Sequence, residues 1–227
     1  MLQHLGISVT AGAISQAAQS TSVALAPVQN SIVAAVNRSE MIVPDESGWR
    51  VGGEGAWLWT AATTGATCYW VADGGRGFEE ACQVMSPEYS GVMVREGWAP
   101  YRRFEKATHQ SCLAHLLRRC DELTRDLPPG ARGTPRRVRE LLTEALCARD
   151  LEDAERVAVV DDLAATNWRA EQAIRPAVVN RKVWGGNRTW RGAATHGRMM
   201  SVVRTAAQQG GRRHRLPHPH RSSTHSG

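Results

Sequence analysis

The chain has 227 residues, a formal net charge of +6, five cysteines and 42% hydrophobic residues. That length suits one sizeable core, or one domain with less ordered ends. No apolar run approaches the ~20 residues that span a bilayer, and no charged segment precedes an apolar one at the start, which argues against a membrane span or a secretory signal. Cys68, Cys82, Cys112, Cys120 and Cys147 form no C-x-x-C pair, the pattern of reduced thiols in a cytoplasmic protein. Arginine dominates the charge from Arg95 onward, with tryptophan and tyrosine scattered among it, a balance that favours a polyanion such as nucleic acid as partner.

In chain order, residues 8–38 carry small apolar side chains at spacings of three and four, interrupted at Pro27, which predicts two helices meeting near that proline. Residues 41–43 read as a strand running to Asp45. Pro44 cannot donate a ladder hydrogen bond, so this strand is expected to be at an edge, bulged or ending. Residues 57–63 and 66–72 form a hairpin about Thr64-Gly65, giving three consecutive antiparallel strands. The Gly74-Gly75-Arg76-Gly77 run lacks the lysine and hydroxyl of a nucleotide loop and reads as a turn.

A helix is expected over 78–85, a strand over 92–96 ending on Glu96, and a helix over 110–123 that turns Leu113, Leu116 or Leu117, Cys120 and Leu123 to the core. Residues 135–148 predict a further helix, followed by alternating charges over 149–162. A helix over 167–175 is capped by Thr166, contains Glu171 and is closed by Pro176. A basic, glycine-broken stretch then leads to a last helix over 193–209. The domain plan is a helical segment at 1–40, one domain at 41–209, and an unstructured His/Arg/Pro tail at 210–227.

Strand with Asp45, two more strands, helix, strand with Glu96, helices, and a late helix with Glu171 is the element order of an α/β ribonuclease H-like fold. Its mixed sheet is flanked by helices, here with extra helices at both ends. Three converging carboxylates repel one another unless cations neutralise them, and hard oxygen ligands favour Mg²⁺ or Mn²⁺. Two such ions about 3.5–4 Å apart suit in-line phosphoryl transfer.

Several blocks also resemble the transposases of the insertion sequence 66 family: DESGWRVGGEGAWLW at 45–59, GRGFEEA at 75–81, GVMVREGWAPYRRF at 91–104, THQSCLAHLLRRC at 108–120 and the basic run at 167–193. The similarity covers roughly residues 5–209. The resemblance implies a bacterial, cytoplasmic transposase, associated with the nucleoid when bound to DNA. Its metal-dependent triad would be Asp45, Glu96 and Glu171 with two Mg²⁺ or Mn²⁺ ions, and DNA its partner, together with a second copy or a full-length transposase.

Arg175, Arg181, Lys182 and Arg188 would contact phosphates, with Trp184 or Trp190 packing on DNA. Cys112-x-x-His115 resembles a Cys-x-x-His signature of structural or DNA-contacting role. Three features depart from the family pattern: Glu96 replaces an aspartate, the passage over 141–167 is short, and the tail is replaced. These support an alternative, an inactive truncated remnant that only binds DNA or a full-length transposase. A nuclease on the same fold would explain the carboxylates but not the blocks.

Overall fold

The computed structural model describes residues 9–151 and 168–213. Two helices open it, α1 (Ala11–Ala24) and α2 (Ala26–Asn37). They break at Leu25, and Pro27 sits in the first turn of α2, where a missing N–H breaks no helical hydrogen bond. The Thr10 hydroxyl caps α1 by accepting from the Ala13 amide at 3.1 Å.

Five strands follow: β1 (Met41–Val51), β2 (Glu54–Ala62), β3 (Thr67–Ala72), β4 (Val92–Arg95) and β5 (Thr108–Ser111). They form one mixed sheet in the order β3-β2-β1-β4-β5. The pairs β1–β2 and β2–β3 are antiparallel, whereas β1–β4 and β4–β5 are parallel. The hairpin between β2 and β3 is the expected one, closed by the Thr63 amide on the Ala66 carbonyl at 2.8 Å.

Two expectations need correction here. The first strand does not end near Asp45 but runs to Val51, turning into β2 through Gly52 and Gly53 at φ 62° and 95°. Both left-handed residues match the twist of a two-residue hairpin turn. Pro44 is tolerated inside this central strand because the ladder to β4 stops at Ile42, leaving that side of β1 open beyond it. The second correction is β5, which occupies the start of the helix expected over 110–123. Its four residues are polar and show no alternation, so only pairing with β4 defines them as a strand.

The helices are α3 (Phe78–Ala81), α4 (Leu113–Asp126), α5 (Gly133–Leu151), α6 (Trp168–Trp184) and α7 (Trp190–Arg213), with 3₁₀ turns at Ala99–Arg103 and Pro129–Ala131. α3 is shorter than expected, its chain continuing in turns to Met85. On α4, Cys120 is buried and Leu117 partly so, while Leu116 is exposed. α6 is not closed by Pro176 but runs through it to Trp184. The Tyr69 hydroxyl donates to the Ala173 carbonyl at 2.6 Å, holding the turn that the proline disturbs. The Thr166 cap, most of the alternating charges over 149–162, and residues 214–227 of the tail lie outside the described residues. Among those described, no helix is long and apolar enough to cross a membrane.

The sheet has a core on each face. One gathers Ile42, Trp59, Trp70, Met93, Tyr101 and Phe104 with Ile32 and Val36 of α2. The other packs Met41, Val43, Trp49, Leu58, Tyr69 and Val94 against Ala170, Ala173, Ile174 and Ala177 of α6. α7 covers the open edge of β3. Ser201 accepts from the Tyr69 amide at 2.8 Å, and Thr205 accepts from the Thr67 amide at 3.0 Å, satisfying backbone groups that an exposed edge strand would present.

The loop before α7 docks on the turn between β1 and β2. The Asn187 amide donates to the Arg50 carbonyl at 2.9 Å, and its carbonyl accepts from Gly52 at 2.8 Å. Gly186 stands at φ 115°, and a Cβ there would lie 2.3 Å from the Arg50 oxygen. Gly186→Ala is therefore expected to destabilise the fold by about 2 kcal/mol or more, read as a lowered urea midpoint with an unchanged slope.

Candidate functional site

Asp45 and Glu46 are adjacent on β1, so the pleat sends them to opposite faces of the sheet. Asp45 pairs across with Thr60, on the α6 side, whereas Glu46 pairs with Trp59, on the other. Beyond the end of β4, Glu96 follows Arg95 on the strand that is parallel to β1. Parallel strands deliver their C-terminal ends to the same side, which brings Glu96 into the field of both carboxylates.

On the α6 side, His115 in the first turn of α4 stands between two acids. Its Nε2 is 3.5 Å from Glu96 Oε2 and 3.8 Å from Glu171 Oε1, and Arg118 Nη2 is 3.6 Å from the same Glu171 oxygen. His115 is held above its ordinary pKa, first by hydrogen bonding with Cys112 and further by the charge of Glu96, against the effect of burial. Asp45 accepts from the Glu46 amide at 2.9 Å. Burial, then the charges of Glu46 and Glu96, raise its carboxyl to about 7.

On the opposite side, Glu46 has a fully enclosed side chain. Arg76 Nε donates to its Oε1 at 2.8 Å, a second Arg76 N–H reaches the same oxygen, and the Tyr101 hydroxyl donates to Oε2 in a short hydrogen bond. Burial nonetheless keeps the Glu46 carboxyl above its usual range, with Tyr101 and Arg76 acting to lower it. Tyr101, wholly buried, is itself raised by burial and then by Glu46.

The expected acids are thus brought to one region, Glu96 and Glu171 through His115 and Asp45 beside them. His115 lies among these carboxylates. Arg181 donates to the Gly48 carbonyl and, at 3.2 Å, to the Ser47 hydroxyl, tying α6 to β1. Arg175, Lys182 and Arg188 are exposed, as are Trp184 and Trp190, with Trp184 edge-on to His196. Sequence reasoning passed over Glu46, Arg76 and Tyr101. The available signal was period two: a carboxylate next to Asp45 on a strand buried on both faces must itself be buried and needs a cation.

The donor set for a metal is one of hard oxygens, Asp45, Glu96 and Glu171. Among the described residues, no three such side chains stand close enough together to hold an ion. Two observations nevertheless fit a cation near Asp45. The ion pairs of the cluster end on Glu46, Glu96 and Glu171 and none, among the described residues, on Asp45. Its cross-strand neighbour Thr60 also carries a buried hydroxyl with no hydrogen-bond partner.

A mixed sheet ordered β3-β2-β1-β4-β5 with helices on both faces is the architecture of a ribonuclease H-like domain. Residues 1–160 match the family model described as Transposase IS66 family, and the chain belongs to that family. Membership implies a transposase role with DNA as partner. The match includes Asp45, Glu96 and His115 and ends before Glu171. No curated protein and no solved structure matches the chain.

Asp45, Glu46 and His115 all have folded pKa values above their ordinary ones, so each contributes stability at low pH that is lost as pH rises through the folded value. For Asp45 the window runs from about 4 to about 7. Chelator-treated protein should lose urea resistance between about pH 4 and about pH 7, with a slope of up to about 1.4 kcal/mol per pH unit from Asp45. Asp45→Asn should flatten that slope; an equally steep loss in the variant would refute the assignment.

Proposed function

We propose that this chain is the catalytic domain of a DNA transposase that cuts strands at the ends of an insertion sequence and joins them to target DNA. Asp45, Glu96 and Glu171 would hold Mg²⁺ or Mn²⁺, two ions being expected. The observation that carries the reading is the meeting of the end of β4 and α6 at His115, where Glu96 and Glu171 lie 3.5 and 3.8 Å from one imidazole, with Asp45 of β1 in the field of Glu96 and His115.

Bound divalent ions supply charge neutralisation for the attacking and leaving oxygens of the phosphodiester. In the cut, water adds to phosphorus, the bond to the 3′-oxygen breaks, and a 3′-hydroxyl is released. In the joining step that hydroxyl attacks a target phosphodiester and loses its proton as the target strand's 3′-oxygen leaves. The chain's own residues orient these groups. Asp45 would lose its proton on holding a metal ion, while His115 and Arg118 offset the charge of Glu96 and Glu171. Arg175, Lys182 and Arg188 lie exposed on α6 and the loop after it, available to phosphates, with Trp184 or Trp190 packing on DNA.

The test uses DNA bearing the ends of the element that encodes the chain. Mn²⁺-dependent cleavage and strand transfer should fall at least ~100-fold in Asp45→Asn and in Glu171→Gln, with neither variant unfolding at a lower urea concentration than chelator-treated wild type. Full activity in either variant removes that residue from the triad.

The second reading, a remnant that binds DNA without cutting it, is favoured by one observation: both oxygens of Glu96 are already engaged, one by Arg76 at 3.1 Å and the other by His115 at 3.5 Å. Glu96→Asp separates the two. Activity gained or retained supports the catalytic reading, whereas none, with salt-dependent binding to the element ends intact, supports the remnant.

A further inference from the structure

The turn over residues 74–77 is built to hold one side chain still. Glu80 wraps the turn from below, its carboxylate accepting from the Gly75 amide at 3.1 Å and the Gly77 amide at 2.8 Å. Gly74 stands at φ 93°, a backbone conformation that favours glycine. From the other side, Trp98 Nε1 donates to the Arg76 carbonyl at 3.0 Å.

The guanidinium of Arg76 is fixed as firmly as its backbone. Its centre lies 4.1 Å from the Trp98 ring and 4.9 Å from the Trp57 ring, so two aromatic faces set its plane. Two of its N–H donors end on the enclosed Glu46, whose second oxygen is taken by Tyr101. Glu46 thereby anchors the guanidinium through Nε and Nη2. What remains is an Nη2 contact to Glu96 Oε1 at 3.1 Å, which leaves Oε2 turned toward His115.

We propose that Arg76 is a positioning residue: anchored by Glu46, Tyr101 and the two tryptophans, it grips one oxygen of Glu96 so that the other alone is presented to a metal ion. This rests on the reading of Glu96 as a metal ligand. Glu96 has a longer, more flexible side chain than aspartate, and a clamp on Oε1 removes the freedom that the extra methylene adds. Hydrogen-bonded partners of a ligating carboxylate orient it, and their loss typically weakens metal binding about 10–100-fold.

The test is a double-mutant cycle on the full chain, with the Mn²⁺ dissociation constant measured by calorimetry at one pH, without DNA. Arg76→Lys keeps the charge but loses the forked donors. It should weaken Mn²⁺ binding about 10–100-fold beside Glu96. In the Glu96→Asp background the carboxylate is a methylene short of the guanidinium, and the same substitution should change binding by less than about threefold. Equal factors in the two backgrounds, no effect, or tighter binding in Arg76→Lys overturns the clamp.

Asp45→Asn distinguishes the two proposals. Mn²⁺ binding that is absent from the wild type, or unaffected by Asp45→Asn, overturns the metal-site reading and with it the purpose of the clamp. Binding that Asp45→Asn abolishes, with additive Arg76 and Glu96 effects, overturns the clamp alone. Should Arg76→Lys not fold, Glu46→Gln, which keeps an acceptor for Arg76 and removes the anchoring charge, is read through the same cycle with the same expectations.

Discussion

The alternation of a single strand governs this molecule. In β1 the pleat places two neighbouring carboxylates on opposite faces of a sheet that is buried on both sides, and each must be accommodated separately. Glu46 is accommodated by protein: Arg76 and Tyr101 surround it, and burying it without them would leave an uncompensated charge. Asp45 has no ion-paired cation among the described residues, and its carboxyl is held near neutrality by burial instead. One face is therefore structurally complete, and the other is left with a carboxylate that a cation could stabilise.

The rest of the architecture follows from keeping β1 fixed. β2 pairs with it along its length, β4 runs parallel to its start, and α6 packs its small residues, Ala170, Ala173 and Ala177, against the Asp45 face. Small side chains let the helix come close, so a residue one position from Ala170 reaches the cluster at the strand ends. That residue is Glu171. Arg181 and Asn187 then bind the far end of β1 and its turn, so both ends of the strand are tied to the same helix and the loop after it.

Edge protection explains α7. Its Ser201 and Thr205 sit four residues apart on one face and meet amides of β3, while Gly197, a further turn back, would place a Cβ only 3.0 Å from the Tyr69 carbonyl. The periodic small residues that read as an ordinary amphipathic helix are thus an edge cover, chosen for close approach and for hydroxyl oxygens.

The sequence by itself determined the helix-rich ends, the hairpin at Thr64-Gly65, the strand before Glu96 and the family, because these are written in short-range signals: turn residues, apolar runs and contiguous motifs. It also proposed Asp45, Glu96 and Glu171 as the triad, through element order and resemblance. Only the tertiary structure decided the length of β1, the existence of β5 and the passage of α6 through Pro176. Each depends on a partner distant in sequence: β2 for the end of β1, β4 for a polar strand with no pattern of its own, and Tyr69 for the turn around the proline. The same holds for the site. That His115 stands between two acids, and that Arg76 in a plain glycine turn reaches both Glu46 and Glu96, are facts of convergence across 19 to 56 positions, which no local pattern encodes.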